Sequence, residues 1–374
     1  MRWLLLVVLL ALPRSGACET IADGIRNVIE SLDLSGIEDT VDAAGILPSS
    51  GGLSSLLGSI ASGEVTLSFE DSASLIAARF FGMVRQSLWR LARLAAPVML
   101  WSVFNRLADG GTRVGKTACS LCVCVFLAQD LSEHAMLCRD TVTRMADSMQ
   151  GLFPILLTLM TAVGSSGSST LMQPAVVAAA GSMTALISNV TLPLAMASAM
   201  LIMLTRLGEG VRVDRLAALA QQAASWTLGI CFTVFIAVLM TRGVTAAAID
   251  GVTIRTAKYA INHFIPVVGG LFADTVDTLI GSSLLVQGAL GVTGLIIIAG
   301  YALGPMCQTL AVTLLYRLTA ALMQPVADGD LSACIHDFSG ILMLFFIIQL
   351  CVGAMFLLLI AQLVAVSGMT VMLR

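Results

Sequence analysis

Long apolar runs alternate with short polar segments over most of the chain. After a run at about Leu88–Phe104, further runs cover about 117–131, 152–163, 172–204, 223–240, 284–323 and 338–366. Two of the longest runs contain possible break points, at Pro193 and at Gly304-Pro305. A transmembrane helix needs about 20 consecutive apolar residues. The pattern therefore predicts an all-α, polytopic membrane protein with roughly six to nine spans.

Composition supports a membrane protein and argues against a water-soluble domain. Of the 374 residues, 57% are hydrophobic and 11% are charged, whereas a soluble domain carries about 25% charged residues. The formal net charge is −3, so composition gives no indication of nucleic-acid binding.

The first 17 residues have the pattern of a secretory signal peptide. Arg2 precedes a short apolar stretch from Trp3 to Leu12, and Ser15-Gly16-Ala17 is typical of a cleavage site. Cys18 would then be the first mature residue, which leaves lipidation as an alternative to ordinary cleavage.

Residues 18–87 are predicted to form a short helical extracytoplasmic segment, and residues 88–374 a transmembrane bundle. A helix is expected to start near Ser68 and run through Phe80 and Trp89. The segment is either a cap on the bundle or a docking surface for a partner. Arg90 and Arg93 lie near the outer end of the first apolar run, where long side chains can snorkel.

Basic residues cluster in two short loops, which predicts that both loops are cytoplasmic. These residues are Arg106, Arg113 and Lys116 in the first loop, and Arg206, Arg212 and Arg215 in the second. On this topology the later residues Arg242, Arg255 and Lys258 fall on the outer side, which conflicts with the same rule.

Two apparent chemical motifs lack the context that their chemistry requires. Residues 110–117 fit Gly-x-x-x-x-Gly-Lys-Thr, but a phosphate-binding loop must follow a β-strand, and this one joins two apolar runs. Cys119, Cys122 and Cys124 have no second ligand pair nearby. We therefore expect a protein that is not an enzyme, with no catalytic residue, cofactor or metal.

Glycines in the later apolar runs indicate close helix packing. Gly288, Gly291 and Gly294 follow one another at short spacing, and Gly300 and Gly304 form a Gly-x-x-x-Gly pair. Packing within the bundle and an oligomer interface are both compatible with this pattern.

A broken amphipathic segment at 247–283 separates two of the apolar runs. Arg255, Lys258 and Asn262 recur at helical spacing before a break at Pro266 and Gly269-Gly270, and Asp274 and Asp277 follow it. Ionisable residues held near lipid are functional candidates. The segment is either an interfacial hairpin with paired charges or part of a transport path or partner contact.

This segment resembles the stage III sporulation protein AE family of endospore-forming bacteria. The resemblance rests on Asp250–Lys258, Asn262–Gly269, Phe272-Ala273-Asp274 and Asp277-Thr278, with Tyr316-Arg317-Leu318 and Gly368-Met369-Thr370 further on. Gly270 departs from the polar or basic residue expected there. The candidate pathway or partner-contact residues are Asp250, Gly251, Arg255, Thr256, Lys258, Asn262, Pro266, Gly269, Asp274 and Asp277.

The resemblance implies a permease-like or export-gate subunit of a channel or secretion complex. Such a complex links mother cell and forespore and sustains late forespore development and gene expression. The implied location is the mother-cell membrane around the forespore. The implied partners are the other products of the third-stage sporulation operon, including its ATPase, and a forespore membrane protein. The alternative from another class is a secondary transporter of a small solute.

Overall fold

A computed structural model describes residues 69–107, 113–162, 177–207, 213–264, 269–325 and 329–372. The predicted signal peptide and residues 18–68 lie outside these ranges. The elements are α1 Phe69–Leu107, α2 Arg113–Ala162, α3 177–186, a π-helical turn Ile187–Thr191, α4 Leu192–Leu207, α5 Asp214–Phe264, α6 Gly269–Met323 and α7 Gly329–Met372.

Five stretches of these helices are long and apolar enough to cross a membrane. They are Thr117–Thr158, Val177–Thr205, Asp214–Met240, Leu285–Met323 and Leu331–Ala365. The protein is a helical membrane protein, as the apolar pattern predicts. Helix α1 contains the predicted first span but is not among the five candidate spans. It begins at Phe69, directly after the predicted start at Ser68.

Helix α2 joins two apolar runs that the sequence pattern treats as separate spans. It continues for 50 residues, because the polar stretch between the runs contains no proline and keeps an apolar face. Val142, Met145 and Met149 on that face are buried in the bundle, so tertiary packing stabilises the helix through its charged middle.

The expected break at Pro193 is a π-helical turn within one span. Proline has no N–H, and its ring clashes with the carbonyl four residues earlier. The turn absorbs this clash by widening the helix, with the Leu192 N–H bonded to the Ile187 carbonyl. The helix therefore continues through Pro193 as one candidate span, Val177–Thr205, and does not divide into two helices there.

Helix α6 likewise passes through Gly304-Pro305 without ending. Proline is tolerated inside a membrane helix when neighbouring helices support it. Buried Ala302 and Val312 anchor the two sides of this site in the core, so the expected division at Pro305 is also wrong.

Helices α6 and α7 form an antiparallel pair with the most extensive contact in the bundle. A Cβ at Gly291 would overlap Val364 Cγ2, and one at Gly294 would lie 3.2 Å from Ile360 Cδ1. The predicted close packing is therefore confirmed at these two glycines. Gly288 and Gly304 face open space, and the structure gives them no packing role.

The helix ends next to the two basic loops lie at the same end of the bundle. Helices α2 and α7 run parallel, because Cys138 contacts Phe345 and, further along both, Leu152 and Ile360 meet at Gly294. Helices α5 and α7 also run parallel, because Gln221 lies beside Gly340 and Leu239 contacts Gln362. The helix ends next to both loops therefore share one end, as the charge pattern predicts. Single crossings by α2 and by the following helix produce this arrangement.

The broken amphipathic segment forms the opposite end of the bundle. Helix α5 runs on past Met240 to Phe264, and α6 begins at Gly269. The two helices end and begin on either side of the predicted break, and Gly269 and Gly270 lie in the first turn of α6. Pro266 lies outside the described residues.

Candidate functional site

A carboxylate buried between three helices forms the centre of the site. Asp130 of α2 is 3% exposed. Its Oδ1 lies 3.5 Å from Arg90 Nη1 and 3.4 Å from Arg93 Nη2, both on α1. The Tyr316 hydroxyl of α6 donates a hydrogen bond to Oδ2. Asp130 therefore joins α1 and α6 to α2.

Glu133 completes the network on its exposed side. Arg90 Nη2 lies 2.5 Å from Glu133 Oε1, and the Glu133 side chain is 49% exposed. Two guanidinium groups thus face two carboxylates, which balances the charge of the network. Asp130 is the buried member, and its removal would leave the Arg93 guanidinium without this carboxylate, at a cost of about 3–5 kcal/mol.

Aromatic rings surround the polar groups. The Arg93 guanidinium lies 5.8 Å from the centroid of the Phe126 ring, within the range of a cation–π interaction. Tyr316 packs on Phe338 of α7 with ring centroids 5.3 Å apart. These contacts restrict access of water to Asp130 and connect the network to α7.

His134 lies one turn beyond Asp130 and is completely buried. Its Nδ1 lies 2.9 Å from the Asp130 carbonyl oxygen. Since a carbonyl oxygen only accepts, Nδ1 carries the proton, and Nε2 is an acceptor. Nε2 is buried with no hydrogen-bond partner, which costs about 1–3 kcal/mol.

The structure corrects the expected role of the two arginines. Arg90 and Arg93 turn into the bundle instead of snorkelling outward. The sequence does contain a signal for the network that composition and hydropathy miss. Arg90 and Arg93 are three residues apart on one helix, and Asp130 and Glu133 are three residues apart on the next, so antiparallel packing can pair them.

The predicted family-motif residues lie in a different part of the molecule. Helix α5 carries Asp250, Gly251, Arg255, Thr256, Lys258 and Asn262, and α6 carries Gly269, Asp274 and Asp277. These residues belong to the broken amphipathic segment, called the charged hairpin below, at the end of the bundle opposite the basic loops. The Asp130 network lies near the end that adjoins those loops. Their role in a pathway or partner contact stays a prediction.

A cavity of about 590 Å³ lies between α2, α3 and α7. Its walls are mostly apolar, and Gln150, Thr184 and Ser188 supply polar groups. It lies at the end of α2 far from Asp130, so it is separate from the network.

The comparisons with known proteins identify the family. The profile described as "Stage III sporulation protein AE" matches residues 52–367, which is most of the chain. The chain belongs to the stage III sporulation protein AE family. A curated family member, Stage III sporulation protein AE of Bacillus subtilis (strain 168), is 31% identical over 235 residues. The match covers 63% of this chain and 59% of that relative.

No solved structure matches the chain. Family membership confirms the resemblance drawn from the hairpin residues, and Tyr316 of the second quoted segment proves to be part of the network.

Proposed function

We propose that this protein is a non-enzymatic membrane subunit of a sporulation channel or secretion complex between mother cell and forespore. Membership of the sporulation family supports the biological setting. The observation that carries a gating role is the charge network buried in an otherwise apolar bundle. Ionisable residues are costly there, which makes them functional candidates.

In this proposal the network holds α1 against the bundle in one of two arrangements. Arg90 and Arg93 are the α1 side of the contact, and Asp130 is the bundle side. Exchange of these pairs for water or for a partner's charges would release α1. An export gate needs such a discrete, reversible contact.

The partners in this proposal are the other products of the third-stage sporulation operon, its ATPase and a forespore membrane protein. The charged hairpin is the proposed contact for them, through Arg255, Lys258, Asp274 and Asp277. The proposed location is the mother-cell membrane around the forespore.

Deletion of the gene in the source bacterium tests the setting. We expect engulfed forespores that stall, with loss of late forespore gene expression and rescue only by expression in the mother cell. Normal sporulation, or a defect confined to growing cells, would contradict the proposal and favour a small-solute transporter.

A second experiment tests the gate separately from the setting. Asp130→Asn removes the charge but keeps the shape, and we expect it to fail in rescue although the protein accumulates in the membrane. Asp214→Asn, at the exposed first residue of α5, is the matched control and should rescue fully. Equal rescue by both variants would remove the network from the mechanism.

A further inference from the structure

One face of α2 is exposed and polar over a length that matches a membrane. We call it the α2 stripe. Its residues, all exposed and repeating at intervals of three and four, are Gln129, Ser132, Glu133, Met136, Arg139, Asp140, Thr143, Arg144, Asp147 and Gln150. Met136 is the one apolar member, and five members are charged. At 1.5 Å per residue the stripe is about 32 Å long.

Contacts with α7 show the depth at which the stripe lies. Along the α2–α7 contact, Cys138 lies beside Phe345. Further on, Met145 Sδ would be 3.8 Å from a Cβ at Gly353, and Leu152 and Ile360 meet at Gly294. The stripe is therefore level with the middle of α7, in a run from 338 to 373 that contains no charged residue.

Contacts between α7 and α5 extend the comparison to the outer surface of the bundle. Gln221 of α5 lies beside Gly340, and Leu239 accepts a hydrogen bond from Gln362. The candidate span Asp214–Met240 is thus level with the stripe. Its exposed surface at this depth carries no charged residue and is mainly apolar, notably at Trp226, Ile230 and Val234. The uncharged polar residues Gln222, Ser225 and Thr233 are exposed beside them.

The same depth in the membrane therefore carries an apolar surface on α5 and a charged surface on α2. Each charged side chain at the centre of a bilayer costs about 2.5–3.5 kcal/mol. Five of them along one helix face would oppose insertion strongly. The α2 stripe requires water, although the α5 surface at that depth suits lipid.

We propose that the α2 stripe lines a water-filled passage across the membrane, whose other walls are neighbouring protein subunits. The passage would admit small hydrophilic solutes, and its alternating acidic and basic residues favour neither sign of charge. Glu133 belongs both to the stripe and to the Asp130 network, so the network lies at the mouth of the passage. This inference deepens the proposed channel function and rests on it.

Cysteine accessibility in membranes from sporulating cells tests the passage with the complex present. Thr143→Cys places a thiol in the stripe, and Ile230→Cys places one at the same depth on the apolar face of α5. The background carries Cys122→Ser, which removes an exposed native thiol, and Cys18→Ala. Labelling by a small, charged methanethiosulfonate is measured against this parent.

Because a thiol reacts as the thiolate, which forms in water and not in lipid, we expect Thr143→Cys to react about a hundredfold faster than Ile230→Cys. Ser132→Cys and Gln150→Cys should follow Thr143→Cys, which guards against one variant that fails to fold. Equally slow reaction at the stripe and at Ile230 would overturn the proposal, since a partner or lipid would then cover the stripe. Equally fast reaction would also overturn it, since this depth would then lie outside the membrane.

The result is separable from the test of the proposed function. Deletion can block sporulation while the stripe is unreactive, in which case the channel role stands and this passage is wrong. If deletion leaves sporulation normal, a reactive stripe would still show an aqueous path, but one that serves a different process.

Discussion

Helices α2 and α7 run parallel and in contact, yet they differ in the polarity of their side chains. Helix α7 buries much of its surface and carries no charged residue from 338 to 373. Helix α2 presents charged residues outward at the same depth and holds Asp130 inward. Depth in the membrane therefore does not determine side-chain polarity. The polarity of each helix face depends on what the face contacts, which is the core, lipid, an ion-pair partner or water.

The largest expected effect comes from the inward face of α2. Asp130→Ala removes the buried carboxylate that Arg90 and Arg93 share, and Arg90 keeps only Glu133. We expect a loss of about 3–5 kcal/mol of stability. Thermal unfolding of the purified protein in detergent measures it. Asp147→Ala, on the exposed face of α2, should change stability by less than about 1 kcal/mol, and an equal loss in both variants would contradict the buried network.

The outward faces can be compared with the same substitution. Leu350→Arg places a charge on the exposed apolar surface of α7, and we expect a cost of about 2.5–3.5 kcal/mol and reduced membrane accumulation. Met136→Arg, on the α2 stripe, should accumulate normally because its charge meets water. Equal accumulation of the two variants would show that the two exposed faces have the same environment, which would contradict the prediction.

Close packing of α6 on α7 predicts a smaller effect. Gly291→Ala forces a methyl group against Val364, and we expect a cost of about 1–3 kcal/mol from overpacking. Gly288→Ala, where nothing lies within 4 Å, is the control and should be neutral. Adding Val364→Ala to Gly291→Ala should recover part of the loss, and no recovery would place the strain elsewhere.

An effect of similar size is expected from the hydroxyl that links α6 to the network. Tyr316→Phe removes the hydrogen bond to Asp130 and should cost about 1.5–3 kcal/mol, since the acceptor is charged. Combined with Asp130→Ala, the two changes should be non-additive, because both remove the same contact. Additive effects in thermal unfolding would show that the two groups act independently.

Local sequence patterns predicted where helices begin and end better than they predicted which helices continue without a break. The start of α1 near Ser68 and the break before Gly269 follow from capping residues, proline and glycine. The continuity of α2 and α6 and the single crossing at Pro193 do not, because proline and charged residues weaken a helix only when packing fails to support it. Val142, Met149 and Ala302 supply that support, and they became recognisable as core residues only once their neighbours were known.

The candidate site shows the same division. The hairpin residues were found because their polarity contrasts with the flanking apolar runs, and this contrast carries the family resemblance. Asp130 was missed because one carboxylate within an apolar run has no meaning until its partners are placed. Those partners are Arg90 and Arg93, about forty residues earlier, and Tyr316, 186 residues later.

By itself the sequence determined that this is a membrane protein, that its fold is helical, that the two basic loops share one side and that it belongs to its family. Each of these follows from residue type or local spacing, which lipid and the hydrogen-bonding needs of the backbone constrain directly. Only the tertiary structure decided which polar residues of α2 face the core and which face outward. Helical spacing assigns residues to faces, but the contacts of each face depend on helices far away in the chain.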